Sequence, residues 1–146
     1  MEEQIVVNVM ITPDGTILVS KHRHDYQSHI DKNGETYFID GGRDYIRCSK
    51  NEEQPTFIQY TVSDMNDSDK WLDMRKYIYR GTFDKEGNRI WKSLDTMSNT
   101  HLKNCIIYNE NRGFGNSVSS MAYKKELEYR QEHNIIIEDD YQDGDE

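Results

Sequence analysis

The sequence predicts an α+β protein: an N-terminal antiparallel β-sheet or meander followed by a C-terminal antiparallel helical hairpin. Two patterns carry that prediction. Up to about residue 64, short β-branched and aromatic runs recur between turn residues. From residue 95 onward, apolar residues recur at three and four behind serine caps.

The elements follow in order. "QIVVNVMI" at 4–11 is a β-branched run closed by the turn signal "TPDG", and "TILVS" returns as its hairpin partner. "DKNG" at 31–34 is a second turn, and "ETYFID" after it alternates as a strand. "GGRDYIRC" starts at a glycine pair and continues as a strand, with Tyr45 and Arg47 on one face and Ile46 and Cys48 on the other. "PTFIQYTVS" completes a meander of about five strands over residues 4–64. "SDMNDSDKWLDMRKY" sets Trp71, Leu72 and Met74 among charges behind capping residues, which predicts a short helix near 66–77. "YIYRGTFDKEGNRIW" reads as a hairpin around "KEGN". Ser98 is a good N-cap for a helix with Leu102, Cys105 and Ile106 on one face. "GFGN" ends that helix, and Ser117 caps a second, "SVSSMAYKKELEYRQEH". Helices joined by so few residues pack antiparallel. In the second helix Val118, Met121, Ala122 and Tyr129 lie on one face, and Tyr123, Leu127 and Arg130 on the opposite one. That helix is therefore expected to be sandwiched, by the sheet or by a second protomer. The expected organisation is a β-rich domain over 1–94, the helical hairpin over 95–137 and a disordered acidic tail over 138–146.

Composition narrows the function. Apolar residues are 34% of the 146, so ten Tyr and two Trp must help fill a small core. No run approaches the ~20 apolar residues of a membrane span. The acidic start "MEEQIVVNVM" is unlike a signal peptide, and a cytosolic location is expected. Cys48 and Cys105 are expected to be small, half-buried apolar groups. The net charge is −9, but residues 138–146 hold six acids; without them 21 acids face 18 basic residues, a net of −3. Long duplex nucleic acid is excluded as a natural ligand, because its binding rests on basic side chains.

Residues 20–48, "SKHRHDYQSHIDKNGETYFIDGGRDYIRC", crowd Lys21, His22, Arg23, His24, Asp25, Arg43, Asp44 and Arg47 around a double glycine. Metal binding would use His22 and His24 two apart on a strand, but there is no Cys pair or "HExxH", and none is expected. Catalysis would use His24–Asp25 or Asp40–Asp44 as base and orienting carboxylate, yet no activated nucleophile stands beside them. Anion binding fits better. Gly41 and Gly42 let backbone N–H groups approach a phosphate. Arg23, Arg43 and Arg47 supply planar forks. Tyr26, Tyr37 and Tyr45 offer stacking surfaces. A polar hairpin with Arg–Asp pairs remains the plain alternative.

The stretch "SKHRHDYQSH…YFIDGGRDYIRC" resembles a motif of small bacteriophage proteins, S-[KR]-x-[RN]-H-D-[FY] followed by V-D-G-G-x-D-Y-x-R. The later "RGT…LDTMSNTHLKNCIIYNENRGFGNSVSSMAYKKELEYR" resembles their helical hairpin. Together they resemble the first type of Thoeris anti-defence protein, over roughly residues 17–137; the hairpin is also similar to that of a sponge acting against the CBASS defence. The resemblance implies a protein that binds a cyclic ADP-ribose isomer, the alarm signal of that defence, without cleaving it. It implies no catalysis, no cofactor and no metal. It also implies a homodimer or a hexamer built as a trimer of dimers, a further capacity for cyclic di- or trinucleotides, and a place in the host bacterial cytoplasm. Ligand contacts are implied at Arg23, His24, Arg43, Tyr45, Arg47, Phe114, Asn116, Lys124 and Arg130, with Asp25, Asp40 and Asp44 orienting the arginines by ion pairs. Many relatives carry a C-x-C-G segment where this chain has "SHIDKNGETY", which implies a different hairpin tip. A protein-binding inhibitor of a host or defence protein and a cyclic-nucleotide hydrolase using His24 and Asp25 are the alternatives from other classes.

Overall fold

The protein was analysed as a computed structural model, which describes residues 5–42, 47–49, 51 and 53–139. The chain divides into two compact units, Met1–Ile78 and Tyr79–Glu146. Among the described residues they hold three antiparallel sheets of two or three strands and three α-helices. The architecture is α+β, as the alternating runs and capped helical periods predict.

The first unit is built on β1 (Val9–Ile11), which pairs antiparallel with β2 (Ile17–Val19) across the "TPDG" turn in the register Met10↔Leu18. β3 (Gln27–Ile30) and β4 (Thr36–Asp40) form a second hairpin, extended by β5 (Arg47–Cys48). Its tip is the "DKNG" turn, where the buried Asp31 accepts the backbone N–H groups of Asn33 and Glu35 at 2.9 Å each. β2 lies against β3 and β4, and Met10, Leu18, Tyr37 and Ile39 close a shared core with Cys48 at its margin. β6 (Thr56–Ile58) returns to the free edge of β1, giving the order β2-β1-β6. The six strands therefore form two sheets rather than one meander of five. A 3₁₀ turn over Val62–Asn66 leads into α1 (Ser68–Met74), whose Asp67 cap accepts from Asp69 and Lys70 N–H. α1 buries Trp71 and Met74 and leaves Leu72 exposed. The Tyr60 hydroxyl donates to the Asp73 carboxylate at 2.7 Å; burial and that acceptor push its pKa up to about 12.

The second unit opens with the hairpin of β7 (Tyr79–Phe83) and β8 (Arg89–Ser93). α2 (Asn99–Asn111) and α3 (Val118–His133) follow and pack on each other. Both expected caps are present: Ser98 accepts from His101 N–H at 2.9 Å and Ser117 from Ser120 N–H at 3.2 Å. Leu94, Met97, Leu102, Cys105 and Ala122 are buried around them. The boundary falls at residue 78 rather than 94. The physical reason is visible in Arg80 of β7, which donates to the Tyr123 hydroxyl of α3 at 3.1 Å and so ties the hairpin to the helices. The second face of α3 is thus partly covered within the chain: Tyr123 is buried and Leu127 half-buried. Among the described residues, no helix is long and apolar enough to cross a membrane.

Candidate functional site

The loop after β2 and the turn after β4 are one structure. Asp25 N–H donates to the His22 carbonyl at 3.0 Å, closing a tight turn in which His24 takes a left-handed φ of 68°. The Asp25 carboxylate holds the turn from both sides, accepting from Lys21 N–H at 2.8 Å and from the Gln27 amide at 2.7 Å. The Ser20 hydroxyl donates to the Asp25 carbonyl at 2.8 Å and accepts from Gly42 N–H at 2.8 Å. From behind, the buried Asn8 amide donates to the carbonyls of Asp40 and Gly42, at 3.3 and 2.9 Å. Gly42 lies directly on the His22 backbone: a Cβ there would stand 2.4 Å from the His22 carbonyl carbon, and its φ is 56°. The Asn8 amide, the Ser20 hydroxyl and the Gly42 N–H are thus all used within the chain, as burial of polar groups demands.

The interlock aims side chains outward. Arg23 and His24 are exposed on the loop, and Arg23 makes no ion pair among the described residues. Arg47, opposite Asp40 in the β4–β5 register, pairs with its carboxylate at 3.3 Å while its own side chain stays 66% exposed. Its guanidinium also lies 5.9 Å from the centre of the Phe38 ring. Tyr26 stacks on Phe38 with ring centres 5.3 Å apart. A loop bearing Arg23 and His24 thus adjoins an aromatic platform bearing Arg47. The pair is exposed only at its arginine end, since Asp40 is buried, and Arg47 keeps further N–H donors for a ligand. Asp40 Oδ1 is buried with no hydrogen-bond partner among the described residues.

Several expected roles move. Asp25 orients backbone and Gln27 rather than an arginine, because its carboxylate is already enclosed by the turn it closes. Asp40 does orient an arginine, Arg47. Tyr37 lies wholly in the core and donates its hydroxyl to the Glu53 carbonyl at 2.9 Å, so it offers no stacking face; β4 alternates, and Phe38 takes that position instead. Arg43, Asp44 and Tyr45 lie outside the described residues. His29 bonds Asp14 at 2.9 Å and Thr16 at 3.1 Å within the first unit, and no three metal-ligating side chains assemble among the described residues. Asn8, Ser20 and Phe38 escaped sequence reasoning. Phe38 left a trace as the outward partner of Tyr37 and Ile39 in "TYFID", and Ser20 as the first residue of "SKHRHDY"; Asn8 left none.

The remaining candidates belong to the second unit. Phe114 and Asn116 are exposed on the turn between α2 and α3. Asn109 donates to Ser120 Oγ at 2.9 Å, and Ser120 donates to the Phe114 carbonyl at 3.0 Å, fixing that turn from beneath. Lys124 reaches the Gly115 carbonyl at 3.4 Å and Glu110 at 3.7 Å. Arg130 is corrected from ligand contact to structural clasp. It is 1% exposed and donates to Glu126, Asn99 and the Leu94 carbonyl, each at 2.8 Å.

No protein-family model, curated protein or solved structure matches the chain.

Proposed function

We propose that the chain is a sponge that binds a cyclic ADP-ribose isomer and sequesters it without cleavage, so that the defence effector awaiting that signal stays off. The observation that carries this reading is the interlock of the His22–Asp25 turn with Gly42. It unites the two halves of the motif on which the resemblance to Thoeris anti-defence proteins rests, and it leaves Arg23, His24 and Arg47 facing out beside Tyr26 and Phe38. A ligand with a pyrophosphate between two riboses and a base needs that combination: guanidinium forks for the phosphates and a π-face for the base. Asp25, the one carboxylate next to His24 in sequence, is engaged by Lys21 N–H and the Gln27 amide in holding the turn, which disfavours it as a partner in hydrolysis. The site of action is the cytoplasm of the infected bacterium. The protein acts as a homodimer or as a hexamer of three dimers, and cyclic di- or trinucleotides are further ligands of the family resembled.

The deciding experiment mixes excess protein with the cyclic ADP-ribose isomer, measures depletion from solution, then heats and analyses the supernatant. Depletion followed by release of intact signal is expected. Loss of the signal would make the protein an enzyme, and no depletion would remove both readings. By calorimetric titration, Arg23→Ala and Arg47→Ala should each weaken binding by one to two decades, the worth of a charge-assisted hydrogen bond of ~1.5–3 kcal/mol. Phe38→Ala should cost about tenfold or more through lost stacking. Thermal melts run beside the titrations should stay near the unaltered protein for Arg23→Ala; Arg47→Ala removes the cation beside the buried Asp40 carboxylate and should melt lower, so its affinity is measured on the folded fraction.

A further inference from the structure

A separate cleft of about 410 Å³ lies within the second unit, between the β7–β8 hairpin and the first turn of α2. Thr82, Lys92, Ser98, Thr100, His101 and Asn104 line it, and Glu138 and Asp139, from the segment after α3, lie in the same lining. Two observations place positive charge beside the cleft, although its lining as a whole holds one lysine against two carboxylates. Lys92 is half-buried there and makes no ion pair among the described residues, although two carboxylates share the lining. His101 is held below its ordinary pKa by burial and then by the positive charges of Lys92 and Arg80.

A carboxylate already occupies part of this space. Asp139 accepts the Ser98 hydroxyl at 2.5 Å, beside the first turn of α2, where the helix dipole favours an anion. The chain reaches that point along a short backbone clasp: Asn99 N–H donates to the Ile137 carbonyl at 2.8 Å, and Ile137 N–H donates to Asn99 Oδ1 at 3.0 Å. Beyond Ile137 the described tether on Asp139 is the single bond to Ser98.

We propose that this cleft binds the phosphoryl group of a small ligand, and that Glu138 and Asp139 are built-in competitors that fill it in the free protein. Lys92 supplies the fixed positive charge. The Thr82 and Thr100 hydroxyls and the Asn104 amide supply neutral donors. A carboxylate and a phosphate call on the same donors and repel each other, so the ligand must displace Asp139 from Ser98. The first described residues of the acidic tail are therefore part of the molecule's recognition surface.

The test is titration of full-length protein with inorganic pyrophosphate and with adenosine monophosphate, read from the NMR signals of His101 and Asn104. Saturable shifts are expected for both probes. The Glu138→Gln, Asp139→Asn double variant should bind about tenfold tighter, and Lys92→Met, which keeps the apolar stem, about tenfold weaker. Arg47→Ala should leave these shifts unchanged, which separates the cleft from the proposed signal site. Equal affinity for the probes identifies the phosphoryl group alone as the determinant; tighter adenosine monophosphate identifies a nucleotide. Absence of saturable shifts at His101 and Asn104 in both the unaltered protein and the double variant would overturn the proposal. So would a Lys92→Met variant that melts and binds like the unaltered protein.

Discussion

An alanine at position 42 must either push the His22 backbone aside or abandon its left-handed φ. Strain of that kind costs roughly 1–3 kcal/mol before the clash is counted. Gly42→Ala should lower the melting temperature by about 5 °C or more and weaken anion binding together with stability. Arg130 makes the opposite kind of prediction. Arg130→Ala breaks the buried ion pair with Glu126 and should cost about 3–5 kcal/mol in urea denaturation. Ligand affinity measured on the folded fraction should not change. Acid should act through two other residues. His101 is depressed below 6.5 by burial, Lys92 and Arg80, so the fold prefers its neutral form. That contribution is full above about pH 6.5 and is lost as pH falls through the lower folded value. Asp14 is depressed below 3.8, first by the Thr12 hydroxyl and then by His29, so its contribution is lost only at stronger acidity. Melting temperature should therefore decline from about pH 7 to 5, and His101→Gln should flatten that slope; an unchanged slope removes His101 as the cause.

At the scale of elements, what was legible followed from local interactions. Ser98 and Ser117 announced the two long helices because a cap bonds an N–H three residues away. The "TPDG" and "DKNG" turns were legible for the same reason. β3 was not: "QSHI" is polar, and neither face of it lies fully inside the core. The pairing of β6 with β1 was not either, because it joins Met10 to Phe57 across most of the first unit. Of the site, the residue types and the two motif halves could be read, but not the posts that join them. Asn8 lies 34 residues from Gly42, and Ser20 22 residues from it. Arg130 stood as a ligand contact through the resemblance alone, while two of its partners, Asn99 and Leu94, lie 31 and 36 residues away. Distance in sequence hid its burial.

The whole molecule presents an assembly question. Ile107, Tyr108, Phe114 and Met121 are exposed apolar side chains of the helical hairpin, and the proposed dimer or hexamer is expected to bury part of them. Tyr123 is buried within the chain and needs no second copy to cover it, so the informative substitution lies in α2. Size exclusion with light scattering should give a dimer or larger species at micromolar concentration, and Ile107→Asp should shift it toward monomer, since an unpaired carboxylate is costly to bury. A monomeric unaltered protein would remove the assembly from the proposal.

The contact between Gly42 and His22 also sets a timetable. Because the loop is pinned by Ser20, Asn8 and the glycine before any ligand arrives, the entropy of ordering it is lost during folding, not during capture. A receptor prepared in advance captures at the rate of encounter and owes its grip to slow release. A variant that loosens the pin, such as Gly42→Ala, must wait for the loop to find its shape. Its deficit should therefore appear in stopped-flow measurements as slower association, in contrast to Phe38→Ala, which should mainly hasten release.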